Sequence, residues 1–249
     1  MTMEMTMKKL IGSAVAIFGL SLFLTTSPAQ AVAVLGFDDV LVQGGTVSYA
    51  GGAAAAAGSG ILFDQISGTG TPLNNGVVLG CSQCTLNFST GANTFNSPAL
   101  WTWGGGGSVS LTGIAYVESG NAVGLDALDT LVAGTIGNPV NLVSGVFSGA
   151  VAIAGGGQLN FSGLGNDTKH QGLLDFYGLT SNDFNFANTE ISSSNLSIDP
   201  QTNAFTGSVN NADFNNTNNP PAVPEPSTVI LLGSGLVGLA AWRMRKRTV

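Results

Sequence analysis

Between residues 36 and 210, short apolar or alternating runs are separated by clusters of Gly, Asn, Ser and Asp. Runs of this length bounded by turn-forming residues are typical of strands. The predicted strands are 40–43, 46–49, 61–66, 85–89, 100–103, 109–117, 131–136, 142–147, 150–154, 158–162, 173–177, 183–186, 196–198 and 204–209. No segment keeps an apolar period of 3.6 residues, although 125–132 would suit a short helix. The pattern predicts an all-β body, an antiparallel β-sandwich or a jelly-roll-like fold.

The amino-terminal end has the three parts of a secretory signal peptide. Lys8 and Lys9 come first, an apolar run follows over 10–24, and the small residues Ala29 and Ala31 mark the cleavage site. We expect cleavage after Ala31, or two residues later, and delivery by the Sec translocon. An uncleaved anchor helix is the alternative, but the apolar run is short for a membrane span of about 20 residues.

The carboxy-terminal end is typical of a second membrane segment. Residues 226–242 are uncharged and precede a basic cluster, which consists of Arg243, Arg245, Lys246 and Arg247. By the positive-inside rule such a cluster stays in the cytoplasm, where it acts as a membrane stop. The body would therefore face outward. Before this segment, residues 210–222 are rich in Asn and then Pro, which predicts a polar spacer between the body and the membrane.

A short motif precedes the apolar segment. Pro224, Glu225 and Pro226 are followed by the apolar residues and then by the basic cluster. This order closely resembles the PEP-CTERM sorting signal of exported bacterial proteins. The resemblance implies recognition of the three residues by an exosortase, a membrane-embedded processing enzyme, and a role near the exopolysaccharide or biofilm matrix. A tail anchor that is never processed is the alternative.

Charge is distributed unevenly along the chain. Lys169 is the only basic residue between residues 32 and 219, whereas the same span holds twelve acidic residues. A body of this kind cannot neutralise a run of phosphates, so the composition excludes nucleic acid as a partner. The same electrostatic argument disfavours anionic lipid headgroups as partners of the body.

The only cysteines are Cys81 and Cys84. Since disulfides persist in exported proteins, we expect a local disulfide that closes a turn between two strands. A thioredoxin-like redox pair would need a strand-to-helix junction, and the residues after Cys84 are typical of a strand. A zinc site needs about four ligands, and two Cys with a single His are too few.

His170 is the only histidine, and it follows Asp167 and Lys169 within the predicted loop 165–172. A general base oriented by Asp167 could serve a hydrolase, with a serine from elsewhere as nucleophile. The alternative is a solvated loop in which polar residues cluster because turns favour them. The absence of a Gly-x-Ser-x-Gly elbow in the body favours the solvated loop.

Two other groups of residues suggest binding. Trp101 and Trp103 are two residues apart on a predicted strand, so both indoles lie on one face, where they either stack on a sugar or pack in the core. The neighbouring acids Asp38 and Asp39, and the pair Asp126 and Asp129, could supply oxygen ligands to calcium. No calcium-loop repeat accompanies these acids, and no other cofactor is predicted.

Together these features predict an exported protein with four parts, a signal peptide at 1–31, a β-rich body at 32–209, a spacer at 210–222 and a sorting signal at 223–249. The body is expected to be a non-enzymatic structural or polysaccharide-binding module of the cell envelope or extracellular matrix. Its uncharged Asn, Ser and Thr side chains suit hydrogen bonding to exopolysaccharide or to copies of itself. The alternative is a secreted hydrolase that acts on envelope or matrix polymers.

Overall fold

The structure, a computed structural model, describes residues 34–119, 124–180, 182 and 184–218. These residues form strands and a short helix. The strands are β1 (Val34–Asp38), β2 (Thr46–Tyr49), β3 (Ala56–Thr69), β4 (Val78–Ser89), β5 (Asn93–Asn96), β6 (Leu100–Trp103), β7 (Gly106–Val117), β8 (Thr130–Ala133), β9 (Val140–Gly155), β10 (Gln158–Lys169), β11 (Phe184–Ile198) and β12 (Phe205–Asn218), and the helix is α1 (Gln171–Tyr177).

The described strands pair antiparallel in one sheet, and this sheet closes on itself. Around the closed sheet the order is β1, β3, β4, β7, β9, β10, β11 and β12, and β12 pairs back with β1. β2 continues the position of β1, because it pairs with the other halves of β12 and β3. Neighbours in the sheet therefore follow chain order, and closure leaves few free edges.

The prediction of an all-β, antiparallel body is confirmed, but its arrangement as a sandwich or jelly roll is wrong. A sandwich needs two sheets and a jelly roll needs Greek-key crossovers, whereas the described strands follow one another around a single closed sheet. Apolar alternation shows which face of a strand is buried. It does not show which strand lies beside it, so the sequence pattern leaves the arrangement open.

Aromatic rings fill the interior of the closed sheet. The buried rings include Phe37, Phe88, Phe147, Phe161, Phe184, Phe186, Phe205 and Phe214, together with Tyr49, Trp101 and Trp103. Neighbouring rings pack closely, with centroids 4.8 Å apart between Phe88 and Phe161 and 5.1 Å apart between Phe186 and Phe214. The core is therefore a continuous cluster to which most strands contribute.

Glycines on the inner face make room for these rings. A Cβ at Gly163 would lie 2.2 Å from the Phe147 ring, and one at Gly165 would lie 2.1 Å from the Phe186 ring. Real atoms do not approach so closely, so each glycine allows a large neighbour to fill the space above it. This packing explains why β10 continues as one strand, with every second residue pointing inward, through Gly163 and Gly165, which resemble strand ends in the sequence.

The two ends of the closed sheet are covered differently. At one end the β5–β6 hairpin pairs with β9, and Trp101 Nε1 donates a hydrogen bond to the Asn203 carbonyl at 2.9 Å. At the other end α1 follows β10. The Tyr177 hydroxyl of α1 donates to the carbonyl oxygens of Ile66 at 3.2 Å and Val77 at 3.0 Å.

Residues 173–177 were predicted as a strand and instead lie in α1. The His170 imidazole accepts a hydrogen bond from the Gly172 N–H at the start of the helix, and Gly178 ends it in the left-handed conformation, with φ 69°. Leu173, Leu174 and Tyr177 are buried. A seven-residue helix of about two turns is too short to show a period, so its apolar run resembles a strand.

The predicted spacer also needs correction at its start. Residues 210–218 are not spacer but the second half of β12, which pairs with β1 and β11. In this Asn-rich run, Ala212, Phe214 and Asn216 are buried. The alternation is present but is carried partly by asparagine, which a hydrophobic pattern does not count.

The predicted signal peptide and the predicted membrane segment at 226–242 lie outside the described residues. Among the residues that the structure does describe, no helix combines the length and the apolar character needed to cross a membrane.

Candidate functional site

Three polar side chains meet inside the closed sheet. Asp167 and Lys169 are two residues apart on β10, so both point inward, and their side chains are fully buried. Lys169 Nζ donates to one oxygen of the Asp167 carboxylate, and Asn216 Nδ2 of β12 donates to the other. We refer to Asp167, Lys169 and Asn216 as the Lys169 cluster.

Aromatic rings surround the amine of the Lys169 cluster. Lys169 Nζ lies 4.8 Å from the ring centroid of Phe184 and 5.7 Å from those of Phe37 and Phe214. Ring faces attract a cation, but they replace the water that would solvate it. The only basic residue of the body is therefore held away from solvent by aromatic rings and a single carboxylate.

Burial changes the proton affinity of both charged groups in the Lys169 cluster. Loss of water lowers the pKa of Lys169 to about 8, although the Asp167 carboxylate acts in the opposite direction. Burial raises the pKa of Asp167, and the contacts with Lys169 and Asn216 offset part of that rise. Burial therefore disfavours the charged form of each group. The difference in free energy between the ion pair and the neutral amine with the neutral acid is smaller than it would be in water.

The predicted arrangement of His170 with Asp167 is not formed. Asp167 faces the interior and binds Lys169 and Asn216, whereas His170 lies after the end of β10 and its Nδ1 accepts the Gly172 N–H at 3.0 Å. The predicted solvated loop is also wrong, because residues 165–172 are the end of β10 and the start of α1. These residues therefore do not form the acid-base pair that the hydrolase hypothesis requires.

Neither tryptophan is available to stack on a sugar. Trp101 is 0% exposed and Trp103 is 3% exposed, and both pack against Phe205. The sequence left two alternatives, stacking on a sugar and packing in the core, and in the structure both tryptophans pack in the core. The prediction that both indoles lie on one face of the strand is confirmed. That face is the one that points into the interior of the closed sheet.

Cys81 and Cys84 form a disulfide, with their Cα atoms 5.7 Å apart. It lies within β4 and does not close a turn between two strands. Gln83 has a positive φ of 54°, and the pairing of β4 with β7 shifts register between Ser82 and Thr85. The disulfide therefore spans a bulge in a strand.

Three carboxylates lie side by side on the outside of the sheet. Asp38 of β1 is in register with Asp213 of β12, which is in register with Glu190 of β11. Burial, followed by repulsion from Asp38 and the other nearby carboxylates, raises the pKa of Asp213 to about 6. We call Asp38, Asp213 and Glu190 the acidic row.

The calcium hypothesis finds no support in the described residues, which contain no group of three or more His, Cys, Asp or Glu placed to hold a metal ion. Asp126 and Asp129 accept hydrogen bonds from backbone N–H groups of their own region, as in Leu128 N to Asp126 Oδ1 at 2.6 Å and Ser119 N to Asp129 Oδ1 at 2.7 Å. Asp38 accepts the Asp39 N–H in the same way, at 2.8 Å. These carboxylates serve local turns.

The acidic row predicts a dependence of stability on pH. Because the pKa of Asp213 is raised in the folded protein, its contribution to folding is greatest below the unfolded-state pKa of about 4 and is lost as the pH rises through about 6. We expect Asp213→Asn to stabilise the protein by about 1 kcal/mol at pH 8, a value reduced from the full shift because water screens this half-buried group. At pH 4.5 the gain should be much smaller, because Asp213 is then largely protonated in the folded protein.

Urea unfolding of both proteins between pH 4.5 and 8 measures this effect. Asp38→Asn removes the same repulsion, so the double variant should gain little more than either single variant. A gain from Asp213→Asn that is the same at both ends of the pH range would contradict the assignment.

A further outer surface carries hydroxyl and amide groups and no charge. Its members face outward on three neighbouring strands, and they are Thr85, Asn87 and Ser89 of β4, Ser108, Ser110 and Thr112 of β7, and Asn141 and Ser144 of β9. Thr85 and Thr112 hydroxyl oxygens are 3.2 Å apart, and the Asn141 amide lies 2.7 Å from Ser144 Oγ. We call this surface the hydroxyl face.

Comparison with known proteins gives information on sorting. Residues 222–246 match the family model of the PEP-CTERM protein-sorting motif. The chain carries a PEP-CTERM sorting motif. This match contains Pro224, Glu225 and Pro226 and confirms the resemblance found in the sequence, although these residues lie outside the described part of the structure. No curated protein and no solved structure matches the chain.

The PEP-CTERM motif indicates export and membrane-linked sorting, with processing by an exosortase. It covers a small part of the chain and carries no information about the activity of the β-rich body.

Proposed function

We propose that this PEP-CTERM protein is a non-enzymatic component of the extracellular matrix whose body binds exopolysaccharide through the hydroxyl face. The observation that carries the proposal is the outer surface of β4, β7 and β9. There, Ser, Thr and Asn side chains are arranged in register across three strands without an intervening charge. Each of these groups both donates and accepts hydrogen bonds, as sugar hydroxyl groups do.

The sorting motif and the charge of the body agree with this role. Exosortase processing would deliver the body to the outside of the cell, where matrix polysaccharide is made. The strongly acidic body repels polyanions, so neutral polysaccharide is the favoured class of ligand. An uncharged surface of hydrogen-bonding groups is suited to weak binding that is repeated along a polymer.

Binding is tested with the purified body and immobilised neutral polysaccharides, namely dextran, cellulose and the exopolysaccharide of an exosortase-containing culture. The triple variant Ser110→Ala, Thr112→Ala and Asn141→Ala should lose about tenfold or more in retention, since three hydrogen-bonding groups are removed. Its matched control replaces the corresponding residue types on β12, which is opposite β7 in the closed sheet, with Thr206→Ala, Ser208→Ala and Asn215→Ala.

The control should bind like the unchanged protein. Retention that stays at background for every polysaccharide, or that falls equally in both triple variants, would overturn the assignment to the hydroxyl face.

A secreted hydrolase centred on His170 remains the alternative proposal, but His170 would need an orienting partner other than Asp167. A screen of the purified protein against ester, peptide and glycoside substrates tests it. Turnover that is lost in His170→Ala, with folding preserved, would favour the hydrolase over the binding role.

A further inference from the structure

The Lys169 cluster places an amine, a carboxyl group and a carboxamide together in a fully buried site. The Asp167 carboxylate is the common partner, because its two oxygens bind Lys169 Nζ and Asn216 Nδ2 separately. We propose that Lys169 and Asn216 react to form an intramolecular isopeptide bond, with Asp167 as the group that transfers protons. The Nζ–Cγ bond forms, the Cγ–Nδ2 bond breaks, and one molecule of ammonia leaves.

The first requirement of this reaction is a neutral amine. A lysine in water is almost fully protonated at neutral pH and is a poor nucleophile. Burial among Phe37, Phe184 and Phe214 lowers the pKa of Lys169 to about 8, and burial raises the pKa of Asp167. Transfer of a proton from Lys169 to Asp167 therefore costs far less than in water and yields the amine and the neutral acid.

The second requirement is a polarised carbonyl. Asn216 Oδ1 is buried and has no hydrogen-bond partner, while Nδ2 of the same group binds Asp167. Rotation of the Asn216 carboxamide by 180° about its Cβ–Cγ bond exchanges the positions of Oδ1 and Nδ2. Oδ1 then lies next to the Asp167 carboxyl group. Protonated Asp167 then donates to Oδ1 and stabilises the negative charge that develops there as Nζ attacks Cγ.

The protons balance without any other reactant. The amine gives up one proton to form the amide, and the leaving Nδ2 takes one proton to depart as ammonia. Asp167 carries this proton between the two nitrogens. The further proton, which Asp167 took from the Lys169 ammonium before the attack, leaves with the ammonia as ammonium, so Asp167 ends as the carboxylate. No oxidant, reductant or metal is required.

The bond would connect strands that do not pair with each other. β10 and β12 are separated by β11 in the sheet, so the crosslink would run behind β11 through the interior. Residues 169–216 would become a covalently closed loop. Closing a loop restricts the unfolded chain, and a peptide-type bond resists the reducing agents that break a disulfide. Such a bond would suit a protein that persists outside the cell.

An ion pair without further reaction is the competing explanation, and mass spectrometry distinguishes the two. The full chain is expressed, the folded product is purified and reduced, and its ends are determined by peptide mapping. We expect an intact mass about 17 Da below that of the same sequence, which is the mass of one ammonia. Chymotryptic digestion should give one branched peptide that contains both Lys169 and Asn216.

Three variants test the chemistry of each group. Lys169→Met and Asn216→Ala should lack the branched peptide because a reacting group is missing. Asp167→Asn keeps both reacting groups but cannot transfer protons in the same way, so it should also lack the peptide. Asn215→Ala changes the exposed neighbour of Asn216 and should retain it.

The unchanged protein alone decides the main point, even where a variant fails to fold. Full mass with two separate linear peptides would overturn the proposal. A mass loss without the branched peptide would place the loss of ammonia at another residue and would also overturn it. A branched peptide that persists in Asp167→Asn would overturn the role of Asp167.

Discussion

Replacing Lys169 by methionine is expected to lower the free energy of unfolding by about 3–5 kcal/mol. The substitution leaves the Asp167 carboxylate buried without a cation, and the loss of one partner of a buried ion pair typically costs this amount. Because the proposed crosslink would add its own contribution, we compare Asn216→Ala with Asn216→Ala/Lys169→Met. Neither protein can form the bond, so the difference measures the ion pair. Urea unfolding gives both values.

The control removes the partner charge as well. Asp167→Leu/Lys169→Met in the same Asn216→Ala background has no buried charge and should recover most of the loss, because apolar residues of similar size often replace a buried pair at little cost. Lys169→Met with no measurable cost would show that Asp167 is not held as a carboxylate by Lys169.

Replacing Trp101 by alanine is expected to cost about 3–5 kcal/mol. Trp101 is the largest fully buried side chain among the residues that the structure describes. Its removal leaves a cavity under the β5–β6 hairpin and breaks the hydrogen bond from Nε1 to the Asn203 carbonyl. Thermal unfolding followed by aromatic circular dichroism measures the change.

Two variants on the same strand are matched to Trp101→Ala. Trp101→Phe keeps most of the apolar volume and should cost clearly less than alanine. Leu100→Ala changes a neighbouring side chain that is 37% exposed and should cost less than about 1 kcal/mol. Equal effects of Trp101→Ala and Leu100→Ala would show that the indole does not support the core.

Local patterns predicted several elements correctly. The predicted strands 46–49 and 100–103 coincide with β2 and β6, where alternation is sustained and turn residues flank both ends. By contrast, β9 was predicted as two strands, 142–147 and 150–154, because Ser148 and Gly149 resemble a turn. In the structure the chain continues through them, since partners on β10 pair with both halves.

The Lys169 cluster was missed for a related reason. Charged residues are rarely buried, so the sequence pattern favours a solvated loop for Asp167 and Lys169. A signal was nevertheless present, because Leu159, Phe161, Gly163 and Gly165 alternate in the same phase as Asp167 and Lys169. Continuing the alternation through the glycines would have placed both charges inside. Asn216 could not have been paired with them, because the pattern does not determine which strands are neighbours.

The PEP-CTERM motif was predictable because it is local. The three residues of the motif are consecutive, and the apolar segment and the basic cluster follow them directly in the sequence. Recognition of such a signal needs no knowledge of which strands pair. The proposed function of the body depends on a surface assembled from distant residues, the hydroxyl face, and such a surface is defined only in the folded chain.

Intact mass and membrane partition of the full chain, expressed with and without the matching exosortase, test the central claim most directly. We expect loss of the segment that follows Pro224, Glu225 and Pro226, and release of the product from the membrane fraction, only when the enzyme is present. An identical mass in both hosts would contradict exosortase processing and would remove the main reason for placing the protein in the extracellular matrix.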